Sequence, residues 1–277
     1  MHSGFDKIRR SNCTMYINRA FRSDSLEQAL SGGEKELQRQ FQLTRLGSSK
    51  FVRLYKFTLR FDGADRLVYF KQYLNRSAWD FIKHIFRASR ARRAFEAALV
   101  LAERGFQTPI IIATGEFRYA FIGAENFLVT LGIEHAKPIY QFIASKQAEL
   151  AKEQLRRERD LIRTFGRTVG KMHAAGIFHG DLRLGNVLAK QDNNGWRFFF
   201  LDNERTREFR RLPARLRLKN LVQVNMFRSD AIFNTDRMRF FKAYLEENSE
   251  IADNWKSWEA KLSLRTSLRL SRGKVVS

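Results

Sequence analysis

The amino-acid sequence predicts a two-lobed α+β protein, with a small β-rich N-terminal lobe over residues 1–131 and a mainly helical C-terminal lobe over residues 132–277. Three observations support this fold class: a strand–turn–strand pattern in the first half, helical spacing of apolar residues in the second, and a polar loop leading into another hairpin. With 277 residues, the chain is long enough to bury the core of two modest lobes.

In the N-terminal lobe, bulky side chains alternate over residues 51–61, which is the period of a β-strand. The dipeptide Asp62-Gly63 suits a tight turn, and the β-rich run of residues 66–73 follows it, so an antiparallel hairpin is expected. Residues 89–104 are rich in alanine, leucine, arginine and glutamate and predict one helix. Residues 126–130 predict a further strand.

In the C-terminal lobe, residues 139–175 predict a helical region. Its apolar residues at helical spacing are Leu155, Ile162, Phe165, Val169 and Met172. A strand over 187–189 and a return strand over 197–201 flank Asn194-Gly195, which suits a turn. The tail from residue 221 onward again predicts helix.

The string HGDLRLGNVL, residues 179–188, lies between the predicted helix and this second hairpin. It resembles the catalytic loop of kinases, in which an Asp accepts the proton of the attacking hydroxyl and an Asn five positions later holds a metal ion. Asp181 and Asn186 have this spacing. Asp202 follows the string FFFL, where kinases place their second metal-binding Asp. The resemblance therefore implies Asp181 as catalytic base, Asn186 and Asp202 as Mg²⁺ ligands, and ATP as phosphoryl donor.

Kinases also carry a lysine on the second strand of the N-terminal hairpin, and Lys71 in VYFKQY has this position. The resemblance implies that Lys71 neutralises the α and β phosphates of ATP, and that Glu96 of the predicted helix orients it. Lys71, Glu96, Asp181 and Asn186 occur in the order that kinases require. Together they predict the bilobed protein-kinase-like fold.

The remaining nucleotide contacts are predicted from position alone. The loop that covers the phosphates should precede residue 51, where Gly47 and Ser48 in RLGSSK are available; a plain turn is an equally open interpretation. The adenine is expected near Thr130 and Leu131.

The chain departs from protein kinases after Asp202, where Asn203 and Glu204 replace Phe and Gly and no Ala-Pro-Glu follows. It resembles instead the bacterial lipopolysaccharide-core kinases, the Kdo and heptose kinase family. The strings that carry this resemblance are VYFKQY, FEAALVLAERGF, KMHAAGIFHGDLRLGNVLA, FFFLDNERTREFRRLPARLRLKNL and RFFKAYL, and they span most of residues 51–244. The family transfers the γ-phosphate of ATP to a sugar hydroxyl of the lipid A-linked inner core, at the cytoplasmic face of the inner membrane.

The chain is strongly basic, with 51 Lys and Arg against 29 Asp and Glu and a net charge of +22, which implies a polyanionic partner. Basic residues beyond the metal loop are expected to face an anionic glycolipid acceptor: Arg205, Arg207, Arg210, Arg211, Arg215, Arg217 and Lys219. Further basic residues recur at helical spacing: Lys261, Arg265, Arg269 and Arg272. They lie near two tryptophans, Trp255 and Trp258. This segment is either a helix lying on an anionic membrane surface or a solvated basic face.

Alternative functions remain open from the sequence. The same fold could serve an atypical protein kinase or another small-molecule kinase, and a pseudokinase scaffold is also possible. A basic nucleic-acid-binding protein would explain the charge but not the motif, so no specific nucleic acid is expected. The single Cys13 favours a reducing compartment, and the N-terminus lacks the apolar region of a signal peptide. The expected location is therefore cytoplasmic, peripheral at the inner membrane.

Overall fold

The computed structural model describes residues 4–10, 12–47, 49–74, 88–117, 125–143, 151–227 and 232–272. The chain divides into two compact units: unit 1 comprises residues 1–99 and 109–134, and unit 2 comprises residues 100–108 and 135–277. The division after Glu134 lies close to the predicted boundary after Leu131. Unit 1 carries the large β-sheet and unit 2 is mainly helical, so the predicted α+β fold class is confirmed.

The sheet of unit 1 consists of β1 (Phe5–Arg10), β2 (Cys13–Asn18), β3 (Thr44–Leu46), β4 (Val52–Phe61), β5 (Ala64–Tyr73), β6 (Ile111–Phe117) and β7 (Asn126–Leu131). The strand order is β1-β2-β6-β7-β5-β4-β3, and all neighbours are antiparallel. The predicted hairpin is confirmed. Asp62 and Gly63 have φ angles of 51° and 73°, the positive values that a two-residue type I′ turn requires.

Among the described residues, three α-helices accompany this sheet: α1 (Asp24–Ser31), α2 (Gly33–Gln40) and α3 (Arg90–Glu103). The last of these confirms the helix predicted over residues 89–104. Leu26, Leu30 and Leu37 of α1 and α2 pack with Met15 and Phe57 in one apolar cluster. No helix or strand is predicted for the first forty residues. The strands and α-helices there are only six to eight residues long, too short for a clear period in the sequence.

Unit 2 contains β8 (Lys137–Pro138), α4 (Lys152–Ala174), β9 (Ile177–Phe178), β10 (Val187–Asp192), β11 (Gly195–Phe200), β12 (Arg207–Glu208), α5 (Ala214–Asn225), α6 (Asn234–Glu246), α7 (Ser249–Ala252) and α8 (Trp255–Ser271). Short 3₁₀ turns cover Arg19–Phe21 in unit 1 and Ile139–Phe142, Leu184–Asn186 and Asn203–Arg205 in unit 2. The strands β11-β10-β8 form one small sheet and β12-β9 another.

The core of unit 2 includes four of the five residues whose helical spacing predicted α4; the fifth, Leu155, is half-buried and outside the core. Ile162, Phe165, Val169 and Met172 are buried. The predicted helix began too early, because Pro138 pairs with Leu188 of β10 and Ile139–Phe142 then forms a single tight turn. None of the helices in the described part of the chain is long and apolar enough to span a membrane.

A buried acid lies on α4. The side chain of Glu158 is 4% exposed, and neither carboxylate oxygen has a hydrogen-bond partner among the described residues. Burial, together with the negative charge of Asp236, raises the pKa of Glu158 to about 7. Because the folded protein binds this proton more tightly than the unfolded chain does, stability falls as the pH rises from about 4.5 towards 7.

Replacing Glu158 with Gln is therefore expected to stabilise the protein above pH 7.5, by on the order of 1–2 kcal/mol, and to leave stability near pH 4.5 almost unchanged. Urea unfolding at the two pH values, followed by circular dichroism, measures this difference. The matched control is Glu246→Gln, an exposed carboxylate paired with Arg167 at 2.7 Å. Equal effects of E158Q at both pH values would contradict the role of the buried charge.

Candidate active site

The motif at residues 179–186 forms a loop between β9 and β10 whose ends are tied to the chain beyond β11. The Thr206 hydroxyl donates to the His179 carbonyl oxygen at 3.0 Å. The Leu201 amide donates to the Asn186 carbonyl oxygen at 2.9 Å. Asp181 is two residues after His179, and Asp202 directly follows Leu201. The two bonds therefore link the predicted base and the predicted metal ligands through short stretches of backbone.

Within this loop, Asp181 and Asn186 are brought together as predicted. The Asn186 side-chain amide donates to the Asp181 carbonyl oxygen at 2.9 Å, which fixes the orientation of the amide group. Its oxygen accepts no hydrogen bond from the described residues and can serve as a metal ligand. Asn186 therefore fits the ligand role that its position predicts.

The Asp181 carboxylate is bound by a residue that the sequence analysis did not assign. Arg183 donates from Nε to Oδ1 and from Nη2 to Oδ2, both at 2.8 Å, in a bidentate ion pair. A carboxylate has about four lone-pair positions, so this pair leaves room for a hydroxyl proton. The position of Arg183, two residues after Asp181, was the signal in the sequence from which this contact could have been predicted.

His179 is fully buried, and its ring packs against the ring of Phe200 with a centroid separation of 5.7 Å. Burial lowers the pKa of His179, while the carboxylates of Asp181 and Asp202 act in the opposite direction. A neutral, enclosed imidazole fits a structural role. Asp202 itself is exposed and has a left-handed backbone with φ of 56°, two residues after the end of β11.

Gly180 provides a close backbone approach beside Asp181, the predicted base. Its φ is 82°, and a Cβ atom there would lie 2.5 Å from Arg205 Cβ and 2.6 Å from the Arg205 carbonyl oxygen. Gly105 has a similar φ of 80° but has no heavy atom within 4 Å of such a Cβ.

Gly180→Ala is therefore expected to lower both the free energy of unfolding and kcat, whereas Gly105→Ala should incur only the conformational cost of about 1–2 kcal/mol. Urea unfolding of the two variants isolates the steric contribution. Equal destabilisation of the two proteins would show that the loop accommodates a side chain at Gly180.

In unit 1, Lys71 lies on β5 directly opposite Leu128 of β7, so the two side chains share one face of the sheet. Leu128 packs against Ala91 and Phe95 of α3, which shows that α3 covers this face. Glu96 of α3 accepts a hydrogen bond from Arg92 Nε at 2.8 Å. Its predicted pairing with Lys71 stays a prediction.

For the other residues predicted to contact the nucleotide, the structure gives the position in the fold. Gly47 is exposed in the connection between β3 and β4, and Ser48 lies outside the described residues. Thr130 pairs with Tyr69 of β5, and the Leu131 amide donates to the Ile110 carbonyl oxygen at 2.8 Å. Thr130 and Leu131 are thus at the end of β7, as predicted.

Six of the seven basic residues expected to face the acceptor are exposed: Arg205, Arg207, Arg210, Arg211, Arg215 and Lys219. The expectation for Arg217 is wrong, because its side chain is 2% exposed. Its guanidinium donates to the Tyr244 hydroxyl at 2.7 Å and also to Asn248 and Glu250. Arg217 lies on the buried face of α5, together with Leu218 and Leu221. Its charge alone did not predict this burial.

Comparisons with known proteins show similarity in fold and in sequence. A structure of WaaP in complex with acyl carrier protein superposes with a TM-score of 0.63 at 21% identity, over 88% of this chain and 96% of that one. The EKC/KEOPS complex subunit bud32 of Aspergillus clavatus is 46% identical over 46 residues, a stretch that spans 17% of each protein. The sequence profile of the lipopolysaccharide kinase (Kdo/WaaP) family matches residues 38–244. The chain therefore belongs to the lipopolysaccharide kinase (Kdo/WaaP) family.

Proposed function

We propose that this kinase transfers the γ-phosphate of ATP to a hydroxyl group of a heptose or Kdo sugar in the lipopolysaccharide inner core. The observation that carries the proposal is the loop in which Asp181 and Asn186 are joined, in a chain whose family is lipopolysaccharide kinases. The exposed basic residues that follow Asp202 support an anionic glycolipid acceptor.

In this mechanism Asp181 accepts the proton of the acceptor hydroxyl as the hydroxyl oxygen attacks the γ-phosphorus and the bond to the bridging oxygen of ADP breaks. Arg183 pairs with both oxygens of this carboxylate, which keeps a lone pair available for the proton. Lys71, oriented by Glu96, neutralises the α and β phosphates. Gly47 and Ser48 cover the phosphates, and Thr130 and Leu131 contact the adenine.

Asn186 and Asp202 fit a Mg²⁺ ion, because an amide oxygen and a carboxylate are the hard oxygen ligands that this ion takes. Magnesium sites in kinases use few protein ligands and complete their coordination with phosphate oxygens and water. When bound, the ion would neutralise charge on the nucleotide phosphates.

Transfer of label from radiolabelled ATP to purified, enzymatically dephosphorylated lipopolysaccharide core tests the acceptor. A generic protein substrate in a parallel reaction tests the main alternative, a protein kinase. We expect label in the glycan only. Label in protein and none in the glycan would overturn the proposed acceptor while retaining a kinase, and the site of the label would then be mapped.

We also propose that the protein lies on the cytoplasmic face of the inner membrane through α8. Trp258 and Leu262 of α8 pack on the core of unit 2, whereas Leu264 and Leu268 are 61% and 48% exposed. The basic side chains near the exposed leucines are those of Lys261, Arg265 and Arg272. Apolar and basic groups on one helix face suit an anionic lipid surface.

Co-sedimentation with vesicles tests this location. Binding is expected to vesicles that contain phosphatidylglycerol, to be weak with pure phosphatidylcholine, and to fall when Leu264 and Leu268 are both replaced with Glu. Unchanged binding of that double variant would rule out α8 as the contact.

A third proposal concerns a protein partner, because the WaaP structure contains an acyl carrier protein. Unit 2 has a cavity of about 300 Å³ that could accept an acyl chain. Its apolar walls include Ile162, Phe165, Leu221, Met238 and Phe241. We expect an acylated carrier protein to bind more tightly than its unacylated form in a pull-down assay. Equal binding would exclude the cavity from the interaction.

A further inference from the structure

Two buried side-chain amides of α5, those of Asn220 and Gln223, support the catalytic loop, and we call them the amide clamp. Asn220 Oδ1 accepts from the His179 backbone amide at 3.2 Å, and Asn220 Nδ2 donates to Gln223 Oε1 at 2.8 Å. Gln223 Oε1 also accepts from the Leu182 amide at 3.2 Å. Gln223 Nε2 donates to the Gly180 carbonyl oxygen at 3.2 Å.

The same Nε2 atom lies 3.5 Å from Asp181 Oδ1, so Gln223 contacts three consecutive residues of the loop: Gly180, Asp181 and Leu182. Its orientation is fixed by chemistry. Oε1 faces two donors and Nε2 faces two acceptors, and the flipped amide would oppose donor to donor and acceptor to acceptor. The contact with Asp181 is therefore made by an N–H group.

Gln223 is 5% exposed and Asn220 is 0% exposed, so each lost hydrogen bond would leave a buried polar group unpaired. The clamp is carried by a 12-residue helix, and Leu221 and Val222 of that helix are buried as well. A rigid helix that holds both the backbone around Asp181 and one of its carboxylate oxygens can fix the direction of that carboxylate. Because Arg183 is on the loop itself, it cannot fix the direction of the carboxylate relative to the rest of unit 2.

We propose that Gln223 is a positioning residue that sets the direction of the Asp181 carboxylate through Nε2. This inference rests on the proposed function, in which Asp181 accepts the hydroxyl proton. A displacement of about 1 Å at a reacting group can cost about 100-fold in rate, so the expected loss appears in kcat. Because the hydrogen bonds of Gln223 go to the loop and to Asn220, and none goes to a predicted nucleotide contact among the described residues, KM for ATP should stay within about twofold of wild type.

Two variants separate the parts of the contact. Gln223→Met keeps the length of the side chain and removes all four polar contacts. Gln223→Glu keeps an oxygen for Leu182 and Asn220 but places a second oxygen against the Gly180 carbonyl and Asp181. We expect kcat to fall about 10-fold or more in Q223M and further in Q223E.

The matched control is Asn248→Ala, which removes another buried amide of unit 2. Asn248 Nδ2 donates to the Gly170 and Tyr244 carbonyl oxygens at 3.1 and 3.0 Å, and within the described part of the chain Asn248 makes no hydrogen bond to residues 179–182. This variant should lose stability comparably and keep the wild-type kcat when assayed at a temperature where all the proteins are folded. A Q223M protein with kcat within twofold of wild type, or N248A and Q223M with equal losses, would overturn the proposal.

Amide hydrogen exchange gives a readout that needs no turnover. The Leu182 amide should exchange faster in Q223M than in N248A, because only Q223M removes its acceptor. Unchanged exchange at Leu182 in Q223M would also overturn the proposal. If the wild-type protein phosphorylates no lipopolysaccharide core, the proposed function fails, and the exchange experiment still decides whether the clamp holds the loop.

Discussion

Replacing Asp181 with Asn is expected to lower kcat by about 10²- to 10⁴-fold while KM for ATP changes little. The side chains have the same size, and the Asn carbonyl oxygen can still accept one bond from Arg183, so the loop should keep its shape. The variant cannot accept the hydroxyl proton, which is the contribution that general base catalysis supplies. Steady-state phosphate transfer and equilibrium binding of ATP measure the two quantities separately.

Asp192→Asn is the matched control. Asp192 lies at the turn between β10 and β11, where it accepts from the Asn194 amide at 2.9 Å and pairs with Arg197. The same chemical change there should leave kcat unaltered. If D181N keeps more than a tenth of the wild-type kcat, Asp181 is not the base. A parallel loss of ATP binding would also contradict this role.

Replacing Arg217 with Met is expected to lower the free energy of unfolding by about 3 kcal/mol, since breaking a buried ion pair leaves its partners uncompensated. The partners are the Tyr244 hydroxyl, Asn248 Oδ1 and the Glu250 carboxylate. Breaking a buried ion pair costs about 3–5 kcal/mol. Tyr244 is fully buried, but the Glu250 side chain is 38% exposed and can be partly solvated, so we expect a loss at the lower end of this range. Urea unfolding followed by circular dichroism measures the loss.

Arg211 provides an unusually close comparison, because it pairs with the same Glu250 at 2.8 Å from a position that is 79% exposed. Exposed ion pairs contribute about 0–1 kcal/mol, so Arg211→Met should have little effect. If both variants destabilise the protein equally, burial is not what makes the Arg217 network important. An R217M protein as stable as wild type would contradict the network itself.

The sequence predicted the parts of this fold that depend on local pattern. Strong alternation and Asp62-Gly63 predicted β4 and β5, and the period of Ile162, Phe165 and Val169 predicted most of α4. The spacing of Asp181 and Asn186 predicted a shared loop because five residues suffice to return an amide to the Asp181 carbonyl. Each of these features is decided within a few residues along the chain.

Features that depend on long-range packing escaped prediction. Gln223 is 42 residues from Asp181, and nothing near it in sequence distinguishes a buried amide from a solvated one. The same reason accounts for Arg217, whose partners lie 27 to 33 residues away. Strand β2 pairs with β6 across about a hundred residues of chain, a pairing that no short pattern predicts.

The order of strands in unit 1 has a practical consequence for anyone who shortens the protein. The family profile begins at residue 38, yet β6 pairs with β2 on its outer side. Trimming the chain to the profile would leave the amides and carbonyls of β6 at an open sheet edge and uncover apolar side chains now beneath α1 and α2. An unprotected edge of that kind recruits strands from other molecules, so the shortened protein should aggregate.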